Sequence, residues 1–384
     1  TAYEIGVRLV GSEMCIRDSI NTSDHNTSEK YYFSVNEETP KPKLIRSREK
    51  GIIYSINSWD NYFYMHTNKD AEDFKIERCK DINTQKWETF IAPKEETLIG
   101  SLLFLNKWIV RSEVTNALDK IFVKNIETNE EEELIFTDEN VYEAAVSHIQ
   151  KDKNTDLIYI AYSTPKTQSR AYLYNLKTKE KKLVKEQIIP SGHDSKNYIV
   201  ERLECESHDG RKVPITITRH KDTPVDGSAH LLLYGYGSYG ASMTASFSST
   251  RLSLINRNII WATAHIRGGM ERGMKWWKEG KLLHKKNTFK DYIYSANFLI
   301  NKKYTSKGKI IGMGGSAGGL LMGAVVNEVP DIFLGMVMAV PFVDCLTTNL
   351  DHSLPLTVGE FDEFGNAKDN KEHFDYIYSY APYN

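Results

Sequence analysis

Lys309-Ile310-Ile311-Gly312-Met313-Gly314-Gly315-Ser316-Ala317-Gly318-Gly319-Leu320-Leu321-Met322-Gly323-Ala324-Val325-Val326 is the run that decides the fold. Its first residues form a short apolar strand, and those after Gly319 form a good apolar helix. Between them Gly314-Gly315-Ser316-Ala317-Gly318 matches the spacing G-x-S-x-G. A reactive serine on a sharp strand-to-helix turn needs small neighbours, because two backbones pass closely there and the turn asks for unusual dihedrals. The helix start beyond it offers free N–H groups and a positive dipole end to a developing oxyanion. Ser316 is therefore the candidate nucleophile. The competing reading is a glycine-rich turn with a spectator serine; the strand before and the helix after argue against it.

Outward from this turn, apolar strands at 231–234, 259–266, 310–313 and 335–341 alternate with helical stretches at 288–301 and 317–327. Two earlier strand-like runs, 200–206 and 213–218, are joined by the turn His208-Asp209-Gly210. The alternation predicts an α/β-hydrolase domain over residues 191–384, a mostly parallel, doubly wound sheet with helices on both faces. The loop Tyr234-Gly235-Tyr236-Gly237-Ser238-Tyr239-Gly240 follows an apolar strand and is the expected source of a second oxyanion donor, from backbone or a tyrosine hydroxyl; an aromatic-glycine packing loop is the alternative. A hydrolase of this type runs in the chain order serine, acid, histidine. After Ser316 the only histidines are His352 and His373, both too close behind the strand ending at 341 for that role. Asp344 reads as a strand-end cap rather than the acid, and His265 and His284 read as structural. The triad acid and base are expected outside this chain.

Residues 20–190 read as β-structure. Tyr62-Phe63-Tyr64-Met65 is followed by Phe74-Lys75-Ile76-Glu77, Trp108-Ile109-Val110-Arg111 by Ile121-Phe122-Val123-Lys124, and Ile158-Tyr159-Ile160-Ala161-Tyr162 by Ala171-Tyr172-Leu173-Tyr174. Each pair runs into a polar turn, and the period is about that of a four-stranded propeller blade. A β-sandwich is the alternative. Three such repeats cannot close a ring, so the chain reads as a fragment whose early blades are missing. Residues 1–19 fit the pattern poorly and are set aside as a non-native remnant.

Of the 384 residues, 40% are hydrophobic and 26% charged, as in a globular protein, and the formal charge of -2 excludes an electrostatic case for nucleic acid. No apolar run has the length of a membrane span, and the start lacks the order of a secretory signal. Cys15, Cys79, Cys205 and Cys345 are scattered, with neither zinc spacing nor a disulfide framework, so a cytoplasmic setting without metal or organic cofactor is expected.

The stretch 234–384 resembles the prolyl oligopeptidase family of serine peptidases, and within it the oligopeptidase B branch. The likeness rests on Leu231 to Ser242, on Ile266-Arg267-Gly268-Gly269, on Lys286-Asn287-Thr288-Phe289-Lys290-Asp291-Tyr292, on the serine turn, on Val340-Pro341-Phe342-Val343-Asp344, and on Pro355 to Asn366. The resemblance implies a propeller over an α/β-hydrolase domain, with residues 20–190 as its last blades. It implies Ser316 as nucleophile, Ala317 as donor of a backbone N–H, and Tyr236 as the oxyanion tyrosine. It implies Glu360 as a carboxylate that recognises a basic side chain before the cleaved bond, with Asp362 where the branch usually has a second glutamate. Read without it, Glu360, Asp362 and Glu363 are equally a solvated acidic loop. Thr244 and Ser246 carry no charge where members preferring a second basic residue are acidic. The expected substrates are short peptides cut after Arg or Lys, with a proline-specific peptidase, an esterase and a non-catalytic propeller scaffold as alternatives. As written, the chain is expected to be inactive.

Overall fold

The computed structural model describes residues 8–10, 17–24, 26–34, 38–149 and 153–384. Its first half is four consecutive four-stranded antiparallel sheets, each with its strands side by side in chain order. The middle strands of the last three sheets, Tyr62–Thr67 with Lys75–Cys79, Trp108–Thr115 with Leu118–Asn125, and Leu157–Thr164 with Thr167–Asn175, carry the three repeats seen in sequence. A fourth sheet precedes them, built from Arg8–Val10, Arg17–Ser23, Ser28–Ser34 and Lys43–Arg46. The sequence pattern misses this blade because its strands are rich in Ser, Asn, Arg and Lys rather than alternating apolar residues. Arg8–Val10 pairs with Ser19–Asn21, so part of the stretch set aside as a remnant lies in a strand ladder. Residues 1–7 and 11–16 lie outside the described residues.

The blades stack face to face because none can bury its apolar side chains alone. Ile45, Tyr54, Phe63 and Met65 pack between the first two, Tyr64, Ile76, Ile99 and Phe104 between the next, and Leu103, Val110, Ile121, Ile158 and Ile160 between the last two. The polar turns repeat one local device. The Asn125 side chain accepts from the N–H groups of Glu127 and Thr128 at 2.9 and 3.2 Å, and Asn175 accepts from Lys177 and Thr178 at 2.9 and 3.0 Å. These Asx turns admit Asn129 and Lys179 at φ 61° and 62°.

The last blade strand, Lys181–Glu186, gives way to Tyr198–Glu206, the first strand of a six-stranded sheet. Across that sheet the order is Tyr198–Glu206, Lys212–His220, Ile260–Ala264, Leu231–Tyr234, Ile310–Gly315 and Phe333–Ala339. The first two pairings are antiparallel and the remaining three parallel. The chain thus joins propeller blades to an α/β-hydrolase sheet. Leu231, Leu233, Ile260, Ala262 and Ile310 are fully buried because helices cover both faces, Lys286–Asn301 and Ala317–Glu328 among them. The parallel strands all end toward one rim, and the site is built there.

Candidate active site

Ser316 stands where the strand Ile310–Gly315 meets the helix Ala317–Glu328, with φ 54° and ψ −117°. A side chain in the left-handed region is strained, and here the surroundings hold it. The Ser316 N–H donates to Ala339 O at 2.9 Å, and its carbonyl accepts from Gly319 and Phe342 at 2.9 and 3.0 Å. A Cβ on Gly314 would fall 2.2 Å from Gly318 O, so the residue two before the serine must be glycine for helix and strand to approach. The result is an exposed serine on a buried turn; Ala317 behind it is 1% exposed. Ala317 opens the helix, so its N–H has no carbonyl a turn earlier and is free to donate.

The loop 235–240 comes up beside this turn, with the Gly235 N–H donating to Met313 O at 3.1 Å. The Tyr236 side chain lies close enough to Ser316 to interact with it. Burial chiefly, with the neighbouring Tyr234, Glu363 and Glu360, holds its pKa above the ordinary tyrosine value, so it stays a donor. A tyrosine hydroxyl and a helix-start N–H near one serine form an arrangement that can hold a carbonyl oxygen as it gains charge.

Two motifs singled out in the sequence support this loop from below. Gly268 lies so close that a Cβ there would sit 1.9 Å from Gly237 O, and the Gly240 N–H donates to Gly268 O at 2.8 Å. Arg267, 1% exposed, forks onto Asp291 at 2.8 and 2.6 Å and reaches Asp209 at 2.5 Å. Thr288 donates its hydroxyl to Arg267 O at 2.9 Å. This buried pair was not read from sequence; the nearest signal was an arginine before two glycines and an aspartate on the face of a predicted helix.

The acidic run splits into three environments. Glu360 accepts from the Tyr239 hydroxyl at 2.5 Å, at the other end of the loop 235–240. Asp362 is exposed and accepts from Asn26 of the first blade at 2.6 Å. Glu363 is 3% exposed, accepts from Trp277 Nε1 at 2.9 Å and faces Lys285 at 3.7 Å, so it is a structural carboxylate. Thr244 is exposed, and the Ser246 carbonyl accepts from Arg251 at 3.0 Å. Among the described residues no histidine hydrogen-bonds Ser316. His265 is buried on Thr216, His352 packs on Phe361, and His373 accepts from the Asn366 N–H at 3.0 Å. His284 is exposed, and Asp344 precedes the helix Cys345–Leu350. No cluster of three or more potential metal ligands occurs among the described residues.

Residues 6–187 match the N-terminal β-propeller domain of prolyl oligopeptidase, and residues 245–384 match the prolyl oligopeptidase family itself. The chain belongs to the prolyl oligopeptidase family. The propeller match begins inside the stretch that sequence reasoning had set aside. Dipeptidyl aminopeptidase BI of Pseudoxanthomonas mexicana is 37% identical over 344 residues, 88% of this chain and 47% of that protein. Protease 2 of Moraxella lacunata is 34% identical over 365 residues, 95% of this chain and 52% of that protein. Oligopeptidase B from Trypanosoma brucei, solved in a closed form with covalently bound antipain, superposes with a TM-score of 0.90 at 32% identity, over 98% of this chain and 55% of that one. The chain therefore spans about half the length of the curated family members it matches.

Proposed function

We propose that the protein to which this chain belongs is a serine peptidase that cleaves short peptides after Arg or Lys, through an acyl-enzyme on Ser316. The observation that carries this reading is the exposed Ser316 on its strained turn, with the Tyr236 side chain beside it. The Ser316 oxygen attacks the scissile carbonyl and its proton passes to a base. Tyr236 and the Ala317 N–H donate to the oxyanion. The C–N bond then breaks, the amine leaves with the proton, and water hydrolyses the ester. Glu360 supplies the charge that pairs with the basic side chain, and the exposed Asp362 adds a second carboxylate nearby. The name oligopeptidase B in the T. brucei relative supports the class of reaction.

The base is expected to be a histidine outside these residues, so the chain alone is expected not to turn over substrate. A fluorophosphonate probe tests the nucleophile: Ser316 should be labelled in the full-length protein and not in Ser316→Ala. An unlabelled Ser316 in the full-length protein would leave the scaffold reading standing. Glu360→Ala tests the specificity. Its kcat/KM should fall at least tenfold for Arg and Lys substrates and little for neutral ones, a loss of a charge-assisted contact. Equal loss on both would point to the proline-specific or esterase alternatives.

We also propose a cytoplasmic setting. Cys79, Cys205 and Cys345 are free and buried, and no described helix is long and apolar enough to cross a membrane. Cell fractionation checks it, and recovery in a membrane or secreted fraction would overturn it.

A further inference from the structure

Beneath the oxyanion loop lies a lysine that the reaction as described does not use. Lys285 is 1% exposed. Its ammonium donates to Gly237 O at 2.6 Å and to Ser238 Oγ at 2.5 Å, and it faces Glu363 Oε1 at 3.7 Å. The Phe364 ring closes the remaining side at 5.5 Å. Two of the three ammonium protons are taken by the Gly237 and Ser238 oxygens, and the Glu363 carboxylate stands beyond hydrogen-bond reach as its charge partner.

The positions of those acceptors matter more than their number. Gly237 directly follows Tyr236, whose side chain neighbours Ser316. Ser238 directly precedes Tyr239, whose hydroxyl bonds Glu360. The ammonium therefore grips the two residues that separate the oxyanion tyrosine from the tyrosine holding the acidic site. Glu363 lies three residues beyond Glu360, one turn along the same short helical stretch, and Trp277 fixes its other oxygen at 2.9 Å. One buried cation thus touches both structures that meet at the substrate: the loop that aims Tyr236 and the turn that carries Glu360.

We propose that Lys285 is a positioning residue that locks the Tyr236 loop and the Glu360 segment into one arrangement, so that the oxyanion donor and the pocket for the basic side chain are set together. The inference rests on the serine-peptidase reading and deepens it. A buried charge used only for stability would serve as well paired to Glu363 alone. Here the same nitrogen donates two of its protons to the backbone carbonyl of Gly237 and the hydroxyl of Ser238, which ties both residues of the loop to one donor.

The test uses the full-length protein. Lys285→Met by itself strands the buried Glu363, so the informative variant is Lys285→Met/Glu363→Gln, which removes both charges and keeps a side-chain oxygen to accept from Trp277. Three quantities are read: the thermal midpoint, the rate of fluorophosphonate labelling at Ser316, and kcat/KM for an Arg and a neutral substrate of equal length. The expected result is a midpoint near the wild type, labelling slowed about tenfold or more, and a preference for Arg reduced about tenfold, with kcat falling more than KM rises. A folded double variant that labels and discriminates like the wild type would overturn the proposal. Should that variant fail to fold, Ser238→Ala removes one acceptor without leaving a charge. A labelling rate lowered about threefold would support the proposal, and an unchanged rate would overturn it. If wild-type Ser316 is itself unlabelled, the peptidase reading fails and this inference with it; a labelled wild type alongside an unaffected double variant removes this inference alone.

Discussion

The turns of the propeller blades and the ground beneath the serine turn hold their polar groups in different ways. In the blades the recurring polar device is local: Asn175 caps the residues two and three positions on, in an exposed turn, and Asn125 does the same one blade earlier. In the hydrolase domain the polar groups are buried and reach far along the chain. Arg267 meets Asp291, and Lys285 meets Ser238 and Glu363, 47 and 78 residues away. A blade turn can fail without disturbing its neighbours. A buried charge beneath the site cannot, because its partner is left in low dielectric without compensation.

That contrast can be broken by substitution. The largest effect is expected at Arg267→Met, which leaves Asp291, fully buried, without its bidentate partner. Loss of one member of such a pair costs about 3–5 kcal/mol, visible as a lower urea midpoint. A loss below about 1 kcal/mol would mean that the hydrolase charges behave like surface pairs after all.

A pH-dependent effect comes next. Burial pushes the Glu271 carboxyl up to about 7. Its backbone carbonyl accepts from Ala117 of a propeller turn at 2.7 Å, and its side chain accepts from Met243 at 2.8 Å. The fold holds this proton more tightly than the unfolded chain does. Its contribution is therefore fully present below the unfolded value and is lost as pH rises through about 7. Glu271→Gln stays neutral at every pH. It should match the wild type near about pH 4 and exceed it near about pH 8 by up to about 3 kcal/mol in chemical unfolding. Parallel curves for the two proteins would show that Glu271 titrates normally.

The smallest effect sharpens the other side of the comparison. Asn175→Ala removes two exposed turn hydrogen bonds and should cost about 1 kcal/mol or less, with Ser316 labelling unchanged. A larger loss, or slower labelling, would mean that the blades transmit strain to the catalytic rim.

Much of this molecule was legible before any coordinates. The three strand pairs between residues 62 and 174 were readable because a blade strand repeats every second residue and ends in a turn whose Asn or Asp acts within three positions. The alternation of strands and helices after residue 229, and the serine turn at 316, were readable for the same reason: strand, tight glycine turn and helix start are all local. The first blade was not, because Arg17–Ser23 has one apolar residue, Ile20, among six polar ones and gives no alternation to detect. Glu360, Asp362 and Glu363 looked alike in sequence, and the fold gave them three separate fates: a partner on the oxyanion loop, a partner on the propeller, and burial against Lys285.

The sequence by itself determined the element types, the parallel sheet and the residue at the sharp turn, since each depends on side-chain period and glycine placement over a few residues. Only the tertiary structure decided which acid is buried and which partners Arg267, Lys285 and Glu271 meet. Those choices depend on contacts between residues tens to hundreds of positions apart, and on how completely water is excluded from each, neither of which any local pattern records.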